Sequence, residues 1–546
     1  MKLNKDGIAD QKEWIEKGYS MPAFDQEKMK DNTLKNPKWI HFGAGNIFRA
    51  FQANVVQELL NKGILKEGLL VAEGYDYEII DKVYRKNDDL GILATLKADG
   101  TIEKTVIASI AKSYVLDSER EDYEGLKEVF ANPSLQMATF TITEKGYSLV
   151  NGKGETLKDV AYDMKHGANS PKSYMGKVVA LLYHRFQAGK LPIAMVSMDN
   201  CSHNGDKLAA AVKSFAKEWV ENGLVEKEFL DYVNDDKKVT YPWTMIDKIT
   251  PRPHEDVEKM LKEDGVEDID PIITTKNTYV APFVNAEECQ YLVIEDDFPN
   301  GREALEKGGF IFTTREKVDQ VEKMKVCTCL NPLHTGLAVF GCLLGYTKIS
   351  DEMKDEQLKK MVEVLGYEEG LKVVTDPGIL DPKEFIDTVV KVRLPNPFMP
   401  DTPQRIATDT SQKLAIRYGE TIKAYEKSDE LNVKDLNVIP MIIAGWMRYL
   451  MGIDDNGDAF EISPDPMAAQ LKEVVNKLEL RNVEKEAKMI KPLLCKNLEE
   501  TVRPILENKE IFGVDLYALG MTDKICEYLE EMLQVPGAVR KILKTI

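Results

Sequence analysis

Gly43-Ala44-Gly45 stands between an apolar run at 39–42 and a stretch in which Phe48, Phe51, Val55 and Leu59 recur every three or four residues until Gly63. Two glycines at a strand-to-helix turn can hold a phosphate. The first permits the tight turn, and the second lets the backbone approach a pyrophosphate. The helix start then offers unpaired N–H groups and a positive dipole end. Asn46, Ile47 and Phe48 form that helix start, with Phe48 where a third glycine usually sits. Glu73 closes a second apolar run, 69–72, and follows Gly43 by 30 residues. A carboxylate there can accept hydrogen bonds from an adenosine ribose and disfavours the extra phosphate of NADP. Asp76 is the fallback for that role. The pattern predicts an NAD site, against the plainer reading of an ordinary strand–helix turn with a solvated glutamate.

A second group of chemically able residues is Cys327-Thr-Cys329 with His334. As a metal site it lacks a fourth ligand nearby, and zinc sites space their cysteines more widely, so no metal is expected. His334 also reads as a satisfied core histidine. Asn331 and His334, three residues apart, lie on neighbouring parts of one helical face.

The elements that must carry these residues divide the chain in two. Strand, helix, strand alternation with apolar runs at 39–42, 69–72, 138–142 and 193–198 predicts a doubly wound, Rossmann-like parallel sheet. After the run 291–294, long amphipathic segments dominate, such as 350–365, 467–478 and 524–533. The expected organisation is an α/β dinucleotide-binding domain over 1–315 and a mostly α-helical domain over 316–546. The 546 residues carry 72 Lys and Arg against 91 Asp and Glu, a net charge of −19 that argues against nucleic-acid or anionic-membrane partners. Seven cysteines without framework spacing, and no apolar N-terminal run, lead to the expectation of a cytoplasmic protein.

Seven stretches, in order, resemble one family. They are His41-Phe-Gly-Ala-Gly-Asn-Ile-Phe-Arg-Ala, Thr141-Ile-Thr-Glu-Lys-Gly-Tyr, Ser197-Met-Asp-Asn-Cys-Ser-His-Asn-Gly, Tyr241-Pro-Trp-Thr-Met-Ile-Asp-Lys-Ile-Thr-Pro, Glu295-Asp-Asp-Phe-Pro-Asn-Gly-Arg, Leu330-Asn-Pro-Leu-His and Arg405-Ile-Ala-Thr-Asp-Thr-Ser-Gln-Lys. The chain is similar to the polyol-specific long-chain dehydrogenases, the mannitol dehydrogenase family, and closest in character to their uronate-reducing branch. The resemblance implies a metal-independent oxidoreductase using NAD, with a small sugar acid or polyol bound between two domains, as a monomer or small homo-oligomer.

It also implies roles. A lysine acts as acid/base in a Lys-x-x-x-x-Asn-x-x-His pattern, which assigns Lys325, Asn331 and His334, with Lys323 as the competing lysine. Lys325, however, precedes Asn331 by six residues, one more than the pattern, and a local bulge within 326–330 would restore the phase. A lysine in this role needs a pKa brought toward neutrality, which burial and nearby cations would supply. Asn200 is implied as a second donor to the substrate oxygen, and Glu322 as a proton relay. Arg405 and Lys413 are implied in the substrate pocket, where an arginine fork suits a carboxylate, joined by Lys145 and Glu144. The expected reaction is reversible reduction of D-fructuronate to D-mannonate. A mannitol 2-dehydrogenase-like polyol or ketose activity, a tagaturonate reductase and an NAD-dependent sugar-acid epimerase are the alternatives.

Overall fold

A computed structural model describes residues 1–478, 480–482 and 494–546. The chain forms two compact units: residues 1–97 with 101–319, and residues 98–100 with 320–546.

The first unit is built on a six-stranded parallel sheet. Its strands are β1 (Trp39–Phe42), β2 (Leu69–Glu73), β3 (Ile110–Val115), β4 (Met137–Phe140), β5 (Ile193–Ser197) and β6 (Val239–Thr240), in the order β3-β2-β1-β4-β5-β6. The order reverses beside β1, and in such sheets ligands collect at the carboxyl ends of the strands there. Strands β1, β2, β4 and β5 are buried along their whole length, as expected of a parallel sheet covered by helices. Even the polar side chains of β1 are satisfied inside. His41 stacks on Phe48, and its Nδ1 and Nε2 meet the Thr139 and Thr141 hydroxyls at 2.6 and 2.8 Å.

Three smaller sheets in this unit were not foreseen. One pairs Tyr19–Ser20, Ile102–Ile107, Gly91–Leu96 and Phe283–Glu287; a second pairs Thr244–Asp247, Tyr291–Glu295 and Ile311–Thr313; the third pairs Ile272–Ile273 with Tyr279–Val280.

The second unit is helical, with one short described strand pair, Arg481–Asn482 with Gln534–Val535. At its centre, Val438–Leu450 is buried at every position. Its start is capped from elsewhere in the chain, and its last turn is tied to the chain beyond the helix. The Glu369 carboxylate accepts from the N–H groups of Asn437, Val438 and Ile439, at 2.6 to 3.0 Å. Arg448 donates to the carbonyls of Ile453, Asp454 and Met532 beyond the other end. The expected helix at 350–365 is instead two. Ile349–Glu352 ends at a turn, and Asp355 then caps Glu356–Glu363 by accepting from the N–H groups of Gln357 and Leu358. A strong N-cap residue outweighed the apolar periodicity.

Burial holds His41 neutral, with its pKa pushed down to about 3. The unfolded chain takes up that proton with the ordinary histidine pKa, so folding loses stability as pH falls from about 6.5 toward 3. His41→Gln is expected to lose less melting temperature than the wild type between pH 6.5 and pH 4. Equal losses in thermal melts across that window would refute the assignment.

Candidate active site

The glycine turn after β1 is held by contacts that leave little choice of residue. Gly43 has φ +107°, and a Cβ there would lie 2.2 Å from the Thr141 carbonyl oxygen. Gly45 differs: a Cβ there would meet nothing within 4 Å, so the space above it is open. The chain turns helical at residue 46 and passes through a π-helical turn, Phe48–Gln52, into Ala53–Asn61. Phe48, in the third-glycine place, is buried against His41.

Glu73 is brought to this turn. Its carboxylate accepts from the N–H groups of Ala44 at 2.9 Å, Tyr75 at 2.8 Å and Asp76 at 3.2 Å, and burial raises its pKa. Its acceptor capacity therefore goes largely to shaping the loop. Asp76, 2% exposed, accepts from the Thr274 hydroxyl through Oδ2, while its Oδ1 has no hydrogen-bond partner among the described residues. Asp76 lines a cleft of about 810 Å³ with Tyr75, Tyr77, Arg120, Tyr174 and Lys177.

Asn200 follows β5, and its neighbour Asp199 organises the surrounding loops. The Asp199 carboxylate accepts from Ile142 N–H at 3.0 Å, Thr143 N–H at 2.9 Å and the Tyr147 hydroxyl at 2.5 Å. It thus holds Thr143 at φ +64°, a strained value for a β-branched residue. Asn200 is exposed, and its amide has no hydrogen bond to the described residues. Glu144 and Lys145 lie exposed on the short helix Thr143–Tyr147 that Asp199 grips, and Glu144 pairs with Lys207 at 2.6 Å. Asp199 was read only as a motif neighbour; its position beside a strand end was the available signal.

The lysine–asparagine–histidine residues lie on the helical stretch Arg315–Leu343. Between Arg315–Met324 and Asn331–Leu343 it forms a π-helical turn, Lys325–Cys329, closed by Leu330 N–H donating to the Lys325 carbonyl at 3.1 Å. That bond spans five residues rather than four, so the residue six after Lys325 takes the angular place that the fifth would have on a regular helix. The surplus residue is absorbed where it occurs. Lys325 is 4% exposed, whereas the competing Lys323 is exposed. Glu322 sits one turn earlier, partly buried and without a hydrogen bond to the described residues. The Asn331 amide likewise has no such partner. Cys329 is buried with Sγ toward the Pro382 carbonyl, and no group of three or more potential metal ligands occurs among the described residues.

His334 lies among cations. Burial first, then Arg417, Arg393, Arg405 and Lys413, push its pKa down to about 3, so the ring is neutral at physiological pH. Its Nε2 has no hydrogen bond among the described residues and lies 3.7 Å from Asp401. Arg405 pairs with Asp401, and Lys413 donates to the carbonyls of Ile406 and Thr408. Arg417 donates to the Thr335 hydroxyl, next to His334. Arg393 and Arg417 were missed from sequence, although Arg417 stands four residues after Lys413.

A doubly wound sheet with an open glycine turn at its reversal point defines a dinucleotide-binding α/β enzyme fold followed by a helical domain. Residues 37–307 match the family model described as the mannitol dehydrogenase Rossmann domain, and residues 317–533 match the mannitol dehydrogenase C-terminal domain. The chain belongs to the mannitol dehydrogenase family and is an oxidoreductase. It is 51% identical to the D-mannonate oxidoreductase of Thermotoga maritima over all of this chain and 99% of that one. Two solved structures share its fold. D-sorbitol dehydrogenase in substrate-free form has TM-score 0.77 at 23% identity, covering 97% of this chain and 98% of that one. The Pseudomonas fluorescens mannitol 2-dehydrogenase ternary complex with NAD and D-mannitol has TM-score 0.65 at 24% identity, covering 100% and 99%.

The two glycines separate folding from binding. Gly45→Ala is expected to melt like the wild type yet bind NADH more than tenfold more weakly, because the open space above it is where a pyrophosphate would lie. Gly43→Ala is expected to lose about 1–3 kcal/mol of stability, because its conformation and its contact with Thr141 both forbid a side chain. Thermal melts and NADH fluorescence titration check both. Equal NADH affinity in Gly45→Ala and wild type would contradict the loop assignment.

Proposed function

We propose that the protein reduces D-fructuronate to D-mannonate with NADH, reversibly, using Lys325 as the acid/base. The observation that carries this reading is the 51% identity, over the whole chain, to a relative named D-mannonate oxidoreductase. The cationic surroundings of His334 support an anionic substrate.

The residues fit a bound dinucleotide. Gly45 leaves open space, the N–H groups of residues 45–47 begin a helix, and Asp76 lies in the lining of the cleft with one buried carboxylate oxygen lacking a partner among the described residues. In this reading Glu73 holds the turn and Asp76 accepts from the adenosine ribose. The nicotinamide, when bound, supplies or takes the hydride. Lys325 gives its Nζ proton to the carbonyl oxygen during reduction and takes it back in oxidation. The Asn331 amide donates to that oxygen as negative charge develops on it. Glu322, one turn from Lys325, passes the proton between Nζ and water. His334, held neutral, can donate to a substrate hydroxyl but does not titrate near neutrality.

Lys325→Met is expected to lower kcat for fructuronate about 10²- to 10⁴-fold. NADH affinity should stay within about twofold of wild type, measured by stopped-flow absorbance at 340 nm and fluorescence titration. His334→Gln is expected to lower activity without moving the limbs of the pH–rate profile, since a group with a pKa of about 3 titrates below them. Wild-type turnover confined to fructose would replace the sugar-acid reading with a ketose one.

A further inference from the structure

The cations around His334 are not equivalent. Arg405, the arginine singled out from sequence, has a side chain 63% exposed and is already paired with Asp401, itself 7% exposed. Its charge has a counter-ion inside the protein. Lys413 spends its ammonium on two backbone carbonyls.

Arg417 differs from Arg405 in being partly buried and without a carboxylate partner among the described residues, and from Lys413, which shares both features, in bonding a side-chain hydroxyl rather than backbone carbonyls. Burial lowers the Arg417 pKa from the ordinary guanidinium value. Its hydrogen bond goes to the neutral Thr335 hydroxyl. That hydroxyl in turn donates to the Asn331 carbonyl at 2.9 Å, so Arg417 hangs on the same helical turn as Asn331 and beside His334. Of the four cations acting on the His334 ring, Arg417 acts most strongly. A guanidinium taken partly out of water without a counter-ion is a destabilising arrangement, and an anion delivered to it completes a charge-assisted pair.

We infer that Arg417, rather than Arg405, grips the substrate carboxylate and so sets the preference for a sugar acid over a neutral ketose. This rests on the sugar-acid reading proposed above. Thr335 is a positioning residue: its hydroxyl fixes the guanidinium against the turn that carries Asn331. Arg405 stays bound to Asp401 and holds that carboxylate beside the His334 ring.

The test uses the full-length enzyme with NADH and two substrates, D-fructuronate and D-fructose, together with calorimetric binding of D-gluconate as a sugar-acid probe that needs no turnover. Arg417→Met is expected to raise KM for fructuronate on the order of 100-fold, with a much smaller effect on any fructose turnover. Arg417→Lys and Thr335→Val are expected to raise it less. D-gluconate binding should be lost in Arg417→Met and weakened less in Arg405→Met. Melting temperatures report folding. If Arg417→Met does not fold, Arg417→Lys and Thr335→Val decide, and an unchanged fructuronate KM in both overturns the inference. A folded Arg417→Met with fructuronate KM and gluconate affinity within twofold of wild type also overturns it. Absence of fructuronate turnover in the wild type would overturn the sugar-acid reading instead. Gluconate binding that still depended on Arg417 would leave the anchor standing.

Discussion

The five-residue hydrogen bond from Leu330 N–H to the Lys325 carbonyl is the constraint on which the proposed chemistry depends. A regular helix turns about 100° per residue, so an uncompensated extra residue would carry Lys325 well away from the face shared by Asn331 and His334. The π-helical turn removes that rotation within one turn and leaves the flanking helices regular. It also places Lys325 inside the protein while Lys323, two residues earlier, stays in solvent.

Buried and half-buried carboxylates do comparable positioning elsewhere. Glu73 gathers three backbone N–H groups around the glycine turn, Asp199 gathers two and a tyrosine hydroxyl around the Thr141–Tyr147 segment, and Glu369 caps the central helix of the second unit. Burial raises the pKa of all three, and their backbone donors oppose that rise by stabilising the charged form. Each ties loop backbone to a strand end or helix end, so that residues with exposed or unpartnered polar groups, such as Asn200 and Asp76, sit on fixed supports.

The parallel sheet was legible because its strands are buried on both faces and read as continuous apolar runs. Helix limits near 467–478 and 524–533 came out close to Ala468–Val475 and Thr522–Met532. The break at 353–355 was hidden, since the apolar period runs through it and only the capping aspartate marks it. The smaller four-stranded sheet pairs segments up to about 190 residues apart, which no local pattern reveals. In the site, glycines and motif residues were readable by type and spacing. The pairing state of the cations was not: that Arg405 is neutralised by Asp401, while Arg417 rests on a hydroxyl, is a tertiary fact.

The most direct test of the central claim is the length of the turn between Lys325 and Asn331. Deleting Val326 removes the surplus residue, converts the π-turn to a regular one and keeps Lys325 in phase with Asn331. Inserting an alanine after Val326 adds a further rotation. The account expects the deletion variant to keep fructuronate reduction within about tenfold of wild type and the insertion variant to lose it, with NADH binding equal in both. Loss of turnover in a folded, NADH-binding deletion variant, or its survival in the insertion variant, would contradict the account.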